Sequence, residues 1–399
     1  MAKIFTSFKK FNYIEMIPYA IAAVLFFSLF TLESCETESR EEIAMRDSLY
    51  KDSVRKADSI KAYQELVAAR DIPPIADFPE IKYTLFKFTS QSARAVFFDS
   101  LKRVPNFSEK VLKLLNRKEY RFVVGSEEIV IPDVFYEDTR AYSVFPSYYP
   151  AAKDIHKLLM VTAHYQMMAL YEWGVLVRVN AVNSGKEKTP SYPGKYSLIF
   201  RQLERHSSID SSWIMKYYFN FSPEAGMAFH QFVMPGYPAS HSCMRMFLED
   251  AMHLYTWGKG AKVDSNKVRI PFSGTPVIVL DHYPFGLEFR PWMQISSNQS
   301  IHLKLPENPL KVDEPLIPII QIPEEIRGAL SNRQRYVIAE DSLRKLGVIR
   351  EGVVLTPSIN YNKLRRQKKA QELKEKMLQE KILQEQLENE ELEKSNLDN

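Results

Sequence analysis

Apolar and polar positions alternate differently in successive stretches of the chain, and the changes predict its elements. Met16 to Leu32 is an apolar run without a charge. Glu36 to about Asp71 is charged and lacks Gly and Pro, so it reads as an amphipathic helix or a solvated spacer, and Pro73-Pro74 breaks it. Residues 75 to 150 mix short apolar runs with charged helix-like ones, the pattern of an αβ accessory region. From Leu158 the period becomes two: Val175, Val177 and Val179 alternate with Leu176, Arg178 and Asn180 after a turn at Gly174. Phe247, Ala251, Leu254 and Tyr255 return to helical spacing, and Gly258 ends that helix. Gly274-Thr275-Pro276 leads into a short buried strand, Val277 to Leu280. Residues 283 to about 320 are Pro-rich and extended. The tail from Asn362 has no Pro or Gly and is basic first, acidic last. Its pairs Leu373/Met377 and Leu383/Leu387 do not extend into heptads, so it reads as a solvated helix rather than a coiled coil. The expected divisions are 1–35, 36–72, 73–150, 153–282, 283–361 and 362–399.

Composition narrows the function classes. A formal charge of +4 over 399 residues, with no basic stripe interleaved with aromatics, gives no reason to expect nucleic acid. Lys3, Lys9 and Lys10 precede the apolar run, and Leu32-Glu33-Ser34-Cys35 closes it. A basic start, an apolar stretch and a small residue at the end describe an export signal. Cys35 directly after Ser34 resembles a lipoprotein signal, in which that Cys is lipidated, although Glu33 departs from the residues such boxes prefer. An uncleaved membrane anchor is the alternative, since the 17 residues from Met16 to Leu32 are at the lower limit for spanning. Either places the remainder on the periplasmic side of a bacterial membrane, anchored at the N-terminus. The only cysteines are Cys35 and Cys243, and each is explained without a bridge to the other. No pattern sets an oligomeric state.

The chemistry gathers in one stretch, Ala228-Phe229-His230 followed by Pro235-Gly236-Tyr237-Pro238-Ala239-Ser240-His241-Ser242-Cys243-Met244-Arg245. Pro235 to Pro238 exclude a helix, so the chain is expected to enter the following helix near Ser242 and to set Cys243 at its N-terminus. The dipole there lowers a thiol pKa, and free N–H groups of the first turn bind an oxyanion. His230 and His241 are candidate bases for an activated Cys nucleophile. Arg245 supplies a fixed positive charge suited to a substrate carboxylate. From spacing alone three readings stay open: a nucleophile, an inert buried Cys, or a zinc site of His230, His241, Cys243 and His253.

The segment resembles the L,D-transpeptidase catalytic domain, or YkuD-like domain, whose pattern is a His, a loop, then Ser-His-Gly-Cys-x-Arg. Here His230 precedes Cys243 by 13 positions, and Ser240-His241-Ser242-Cys243-Met244-Arg245 follows the pattern. Tyr171 to Val177, Ser184-Gly185-Lys186 with Thr189-Pro190, and Gly274 to Val277 resemble its flanking motifs, so the likeness covers about 155 to 282. Separately, Val111 to Arg117, Val124-Gly125 and Ile129 to Pro132 resemble the end of a LysM-type peptidoglycan-binding module. The first resemblance implies an α+β chain with a mixed β-sandwich catalytic domain, and acyl transfer without metal or cofactor. Its implied substrates are peptidoglycan stem peptides, cross-linked between third residues, with carboxypeptidase or endopeptidase side activity if water accepts. It implies Cys243 as nucleophile, His230 as base, Ser240 and His241 as orienting groups, N–H groups of Ser242 and Cys243 as oxyanion donors, and Arg245 as carboxylate binder. Two positions depart from the pattern. The early loop Ser191-Tyr192-Pro193-Gly194 is longer, and Ser242 replaces the Gly before the nucleophile. If that position needs φ > 0, Ser costs about 1 kcal/mol and sets a side chain against the oxyanion pocket. The alternative is therefore a non-catalytic, wall-binding lipoprotein whose transferase domain has decayed.

Overall fold

The structure, a computed structural model, describes residues 44–51, 53–54, 75–207, 210, 212–358 and 361–397. The export segment, Cys35 and most of the spacer lie outside the described residues. The chain divides into two units, Met1–Asp71 and Ile72–Asn399. In the first, residues 44–51 form an exposed helix. Everything that follows concerns the second.

Two mixed sheets make the centre. Strands β3 (Leu158–Thr162), β4 (Met167–Glu172), β5 (Val175–Ala181), β6 (Gly194–Ser197) and β11 (Pro276–Val279) form a five-stranded sheet in the order β5-β4-β3-β11-β6. Strands β7 (Arg201–His206), β8 (Ile214–Ser222), β9 (Met227–Gln231) and β10 (Met244–Met246) form a second in the order β10-β9-β8-β7. The β3/β11 and β9/β10 pairs are parallel. Leu159, Val161, Met168 and Leu170 face Phe219, Phe221, Phe229 and Met246 between the sheets. Leu158, Met160, Met167 and Tyr171, on the opposite face, pack against the accessory region. The central strands are therefore covered on both sides, which is why β3 reads Leu-Leu-Met-Val-Thr without a polar alternate.

The accessory region pairs β1 (Tyr83–Lys87) with β2 (Glu128–Pro132), antiparallel, and places α1 (Gln91–Leu101), α2 (Glu109–Asn116) and α3 (Tyr120–Val124) between them. Ser90 and Ser108 cap the first two helices by accepting from Ala93 and Val111 N–H groups. Val111, Leu112, Leu115, Ile129 and Ile131 belong to the same apolar cluster as Met160 and Tyr171, so this region is built onto the five-stranded sheet.

The β4–β5 turn has φ of +52° at Trp173 and +80° at Gly174, the pair of a type I′ hairpin. A Cβ at Gly174 would meet the Tyr149 carbonyl at 2.7 Å, so only glycine fits the expected turn. The helix after Cys243 begins later than its sequence suggests. Met244–Met246 is strand β10, paired with β9 in the register Arg245↔His230, and helix α4 spans Leu248–Trp257 with Phe247 at its N-cap. The reason is local: Met244 and Met246 are buried and Arg245 is not, a period of two, and helical spacing starts only at Phe247. Gly258 caps α4 by donating to Leu254 O, as expected. Residues 283–320 carry short 3-10 turns and one isolated antiparallel bridge, Ser297 to Lys82. Helix α5 (Arg333–Lys345) follows, then α6 (Tyr361–Leu397), whose described side chains are exposed. Among the described residues, no helix is long and apolar enough to cross a membrane.

Candidate active site

The register of β9 against β10 brings the two halves of the sequence motif together. His230 is on β9, and Arg245 is its partner on β10. Cys243 precedes β10 by one residue, so all three lie at one end of the four-stranded sheet. Cys243, His230, Ser240, His241 and Arg245 line a single pocket of about 110 Å³. Ser242 does not line it. Its φ is +75°, the strained region that glycine takes without cost, and its hydroxyl turns away to donate to Thr189 O at 3.3 Å. The side chain therefore leaves the pocket uncrowded.

A strap, residues 183–191, holds the Cys loop from outside. Asn183 exchanges both backbone hydrogen bonds with Arg245, at 3.0 and 2.9 Å. Lys186 N–H and the Thr189 hydroxyl donate to Ser240 O, and the Ser191 hydroxyl donates to Ser242 O at 2.9 Å. A Cβ at Gly185 would stand 2.1 Å from Thr189 O, so the strap closes this tightly only with glycine there. Asn183 also reaches the accessory region. Its Nδ2 donates to Arg117 O at 3.0 Å, and its Oδ1 accepts from Gly236 N–H at 3.2 Å.

Each ionisable group has a definite state. His230 is buried, and its Nδ1 lies 3.0 Å from Gln231 O. A carbonyl only accepts, so Nδ1 carries the proton and Nε2 is left as the basic nitrogen. Burial pushes His230 down to about 4, with Arg245 adding to the effect against the Gln231 carbonyl. Burial pushes the Cys243 thiol up to about 11, only partly opposed by the Ala228 amide and by Arg245 and Arg205. The thiol donates weakly to Gly226 O at 3.8 Å. His241 is lowered by burial and then by Lys186 and Arg245; the Lys186 ammonium donates to its Nε2 at 2.8 Å, which fixes that nitrogen as acceptor. Arg245 donates to Val233 O and lies 4.8 Å from the Phe232 ring centre.

The expected low-pKa thiolate is thus corrected. Cys243 has no helix N-terminus behind it, and burial dominates. With the thiol pushed up and the imidazole pushed down, both groups are uncharged near neutrality. Iodoacetamide, which takes the thiolate, should alkylate Cys243 about tenfold faster per pH unit through neutrality, without a plateau until pH nears 11. A plateau between pH 5 and 9 would mean a preformed ion pair.

His253 is placed elsewhere, on α4, with Arg178 and Lys157 as its charged neighbours, and does not join the other three residues of the zinc reading. Among the described residues no three His, Cys, Asp or Glu side chains are grouped as a metal site. Sequence reasoning missed Tyr218, Trp213, Phe232 and Arg205 in the pocket wall, and Asn183 behind it. Tyr218 and Phe232 pack on the His230 ring at 6.4 and 6.0 Å, and Trp213 on His241 at 6.0 Å. Tyr218 opens a continuous buried run at the end of β8, with no local signal that marks it as a pocket wall.

Residues 156–279 match the family model of the L,D-transpeptidase catalytic domain, YkuD. Among solved structures the chain is similar to an L,D-transpeptidase from Mycobacterium smegmatis, at 15% identity over 32% of this chain and 59% of that one, with a TM-score of 0.26. It is similar to one from Stackebrandtia nassauensis at 15% identity over 52% and 96%, TM-score 0.31. It is also similar to L,D-transpeptidase 3 from Mycobacterium tuberculosis in complex with a faropenem-derived adduct, at 18% identity over 32% and 60%, TM-score 0.24. The chain thus spans less than two thirds of the length of the first of these. No curated protein matches it.

Proposed function

We propose that this chain, which carries an L,D-transpeptidase catalytic domain at residues 156–279, uses Cys243 to transfer acyl groups between peptidoglycan stem peptides. The observation that supports it most is the placement of Cys243 and a tautomer-fixed His230 in one pocket. In this reading His230 Nε2 takes the proton from the thiol as sulfur attacks the carbonyl carbon of the third stem residue. The oxyanion forms against the Ser242 and Cys243 N–H groups; the Ser191 hydroxyl holds Ser242 O, which shares its peptide plane with the Cys243 N–H. Collapse breaks the bond to the terminal D-residue, whose amine leaves with the proton held by His230, and a thioester remains on Cys243. An amine of a second stem then attacks and loses its proton to His230. Collapse returns the proton to the sulfur and yields a link between two third residues. Water in place of that amine would give carboxypeptidase or endopeptidase activity. Arg245 holds a donor carboxylate, and His241 and Ser240 orient the loop. We place the domain outside the cytoplasm, anchored by the N-terminal segment either through lipidated Cys35 or as an uncleaved span.

The test is to incubate the purified protein with tetrapeptide stems and separate products by mass. Dimers linked through third residues, with release of the terminal D-residue, support the reading; unchanged stems sink it. A second experiment addresses the decayed-domain reading. Ser242→Gly relieves about 1 kcal/mol of backbone strain and loses one hydrogen bond of similar worth, so turnover should stay within about threefold. A gain of a hundredfold would instead mark Ser242 as the lesion of a decayed site.

A further inference from the structure

The pocket contains a second guanidinium that the motif does not include. Arg205 lies on β7 and Arg245 on β10, the two opposite edges of the four-stranded sheet, with Tyr218 on β8 and His230 on β9 between them. Each ring that packs on His230 carries one arginine: Arg245 is 4.8 Å from the Phe232 centroid, and Arg205 is 5.0 Å from that of Tyr218. Both line the pocket with Cys243, and no carboxylate does. Arg205 donates to the neutral Gln202 Oε1 at 2.9 Å, and among the described residues it has no acidic partner. Both guanidiniums lower the Cys243 thiol against its burial, so both lie within electrostatic reach of the sulfur. Two like charges beside one small pocket, with no internal counter-charge, repel each other until an anion enters. A planar guanidinium offers parallel donors that suit a carboxylate.

We infer that Arg205 is a specificity residue, and that the pocket takes a donor peptide with two carboxylates flanking the scissile carbonyl, one held by Arg245 and the other by Arg205. The inference rests on the transfer chemistry proposed for Cys243 in identifying the donor as a stem peptide. It adds that a donor with either flanking carboxylate amidated is a poor ligand, because a half-buried guanidinium without an acidic partner then faces a neutral amide.

Binding to Cys243→Ala separates recognition from turnover. The probes are a stem tetrapeptide with all carboxylates free and versions amidated at one carboxylate each, titrated calorimetrically. Adding Arg205→Gln should weaken the free peptide by about tenfold to a hundredfold, the worth of a hydrogen-bonded charge pair. One amidated peptide should show the same loss against Cys243→Ala and no further loss when Arg205→Gln is added. Arg245→Gln should pair in the same way with a different carboxylate. Arg205→Lys, which keeps the charge and the fold, should recover part of the discrimination. Three results overturn the inference: no binding of the free tetrapeptide, no effect of Arg205→Gln, or an equal loss for every peptide. Absence of a thioester on wild-type Cys243, with the arginine dependence intact, removes the transferase reading and leaves this recognition standing.

Discussion

Replacing His230 by glutamine is expected to slow acylation of Cys243 by about 10²- to 10⁴-fold, the range of a lost general base. The size follows from the resting state. With the thiol at about 11, only about one molecule in ten thousand carries a thiolate at pH 7. Attack therefore needs a base within the pocket, and His230 Nε2 is the nitrogen left free by the Gln231 contact. Stopped acylation assays across pH make the check sharper. The glutamine variant should gain about tenfold per pH unit, because only spontaneous thiolate reacts, whereas the wild type stays flatter above pH 5. Equal slopes in both proteins would remove His230 from the proton path.

Asn183→Leu is the second large effect, expected to destabilise the fold by about 2–5 kcal/mol. The side chain is fully buried, and its loss strands the Gly236 N–H and the Arg117 carbonyl, at about 1–3 kcal/mol each. Arg117 has no room to compensate. It is itself buried and already donates to the Tyr165 and Leu114 carbonyls, and burial holds it down at about 9. In the proposed transfer, acylation should also fall more than tenfold in the folded fraction, since the Asn183 side chain ties Gly236 N–H, at the start of the loop that carries Cys243, to the Arg117 carbonyl. Denaturant unfolding gives the first quantity and burst acylation per folded molecule the second. A variant with wild-type stability would mean that the accessory region does not brace the Cys loop.

The residues that share the pocket were legible because a Cys, two His and an Arg at this spacing are side chains, and side chains are what a sequence spells. Cys243, His230 and Arg245 could be named before the sheet that gathers them was known. The β4–β5 hairpin was equally plain, since Gly174 and a period of two are local signals. The environment of the thiol was not local. Its pKa depends on burial by strands distant in the sequence, and on a three-residue strand where helical spacing does not yet apply, since it starts only at Phe247. Asn183 and Arg117 were invisible for a related reason: their work is done through backbone carbonyls and amides, which every residue has. Nothing in the sequence marks Arg205, and the sheet order β10-β9-β8-β7 shows that it shares a wall with Cys243.

The most direct measurement is the intact mass of the protein after brief exposure to a stem tetrapeptide. Acyl transfer through Cys243 predicts an adduct equal to the peptide minus its terminal D-residue, mapped by digestion to Cys243 and absent from Cys243→Ala. An unmodified mass while the tetrapeptide is consumed, or an adduct that persists in Cys243→Ala, would contradict it.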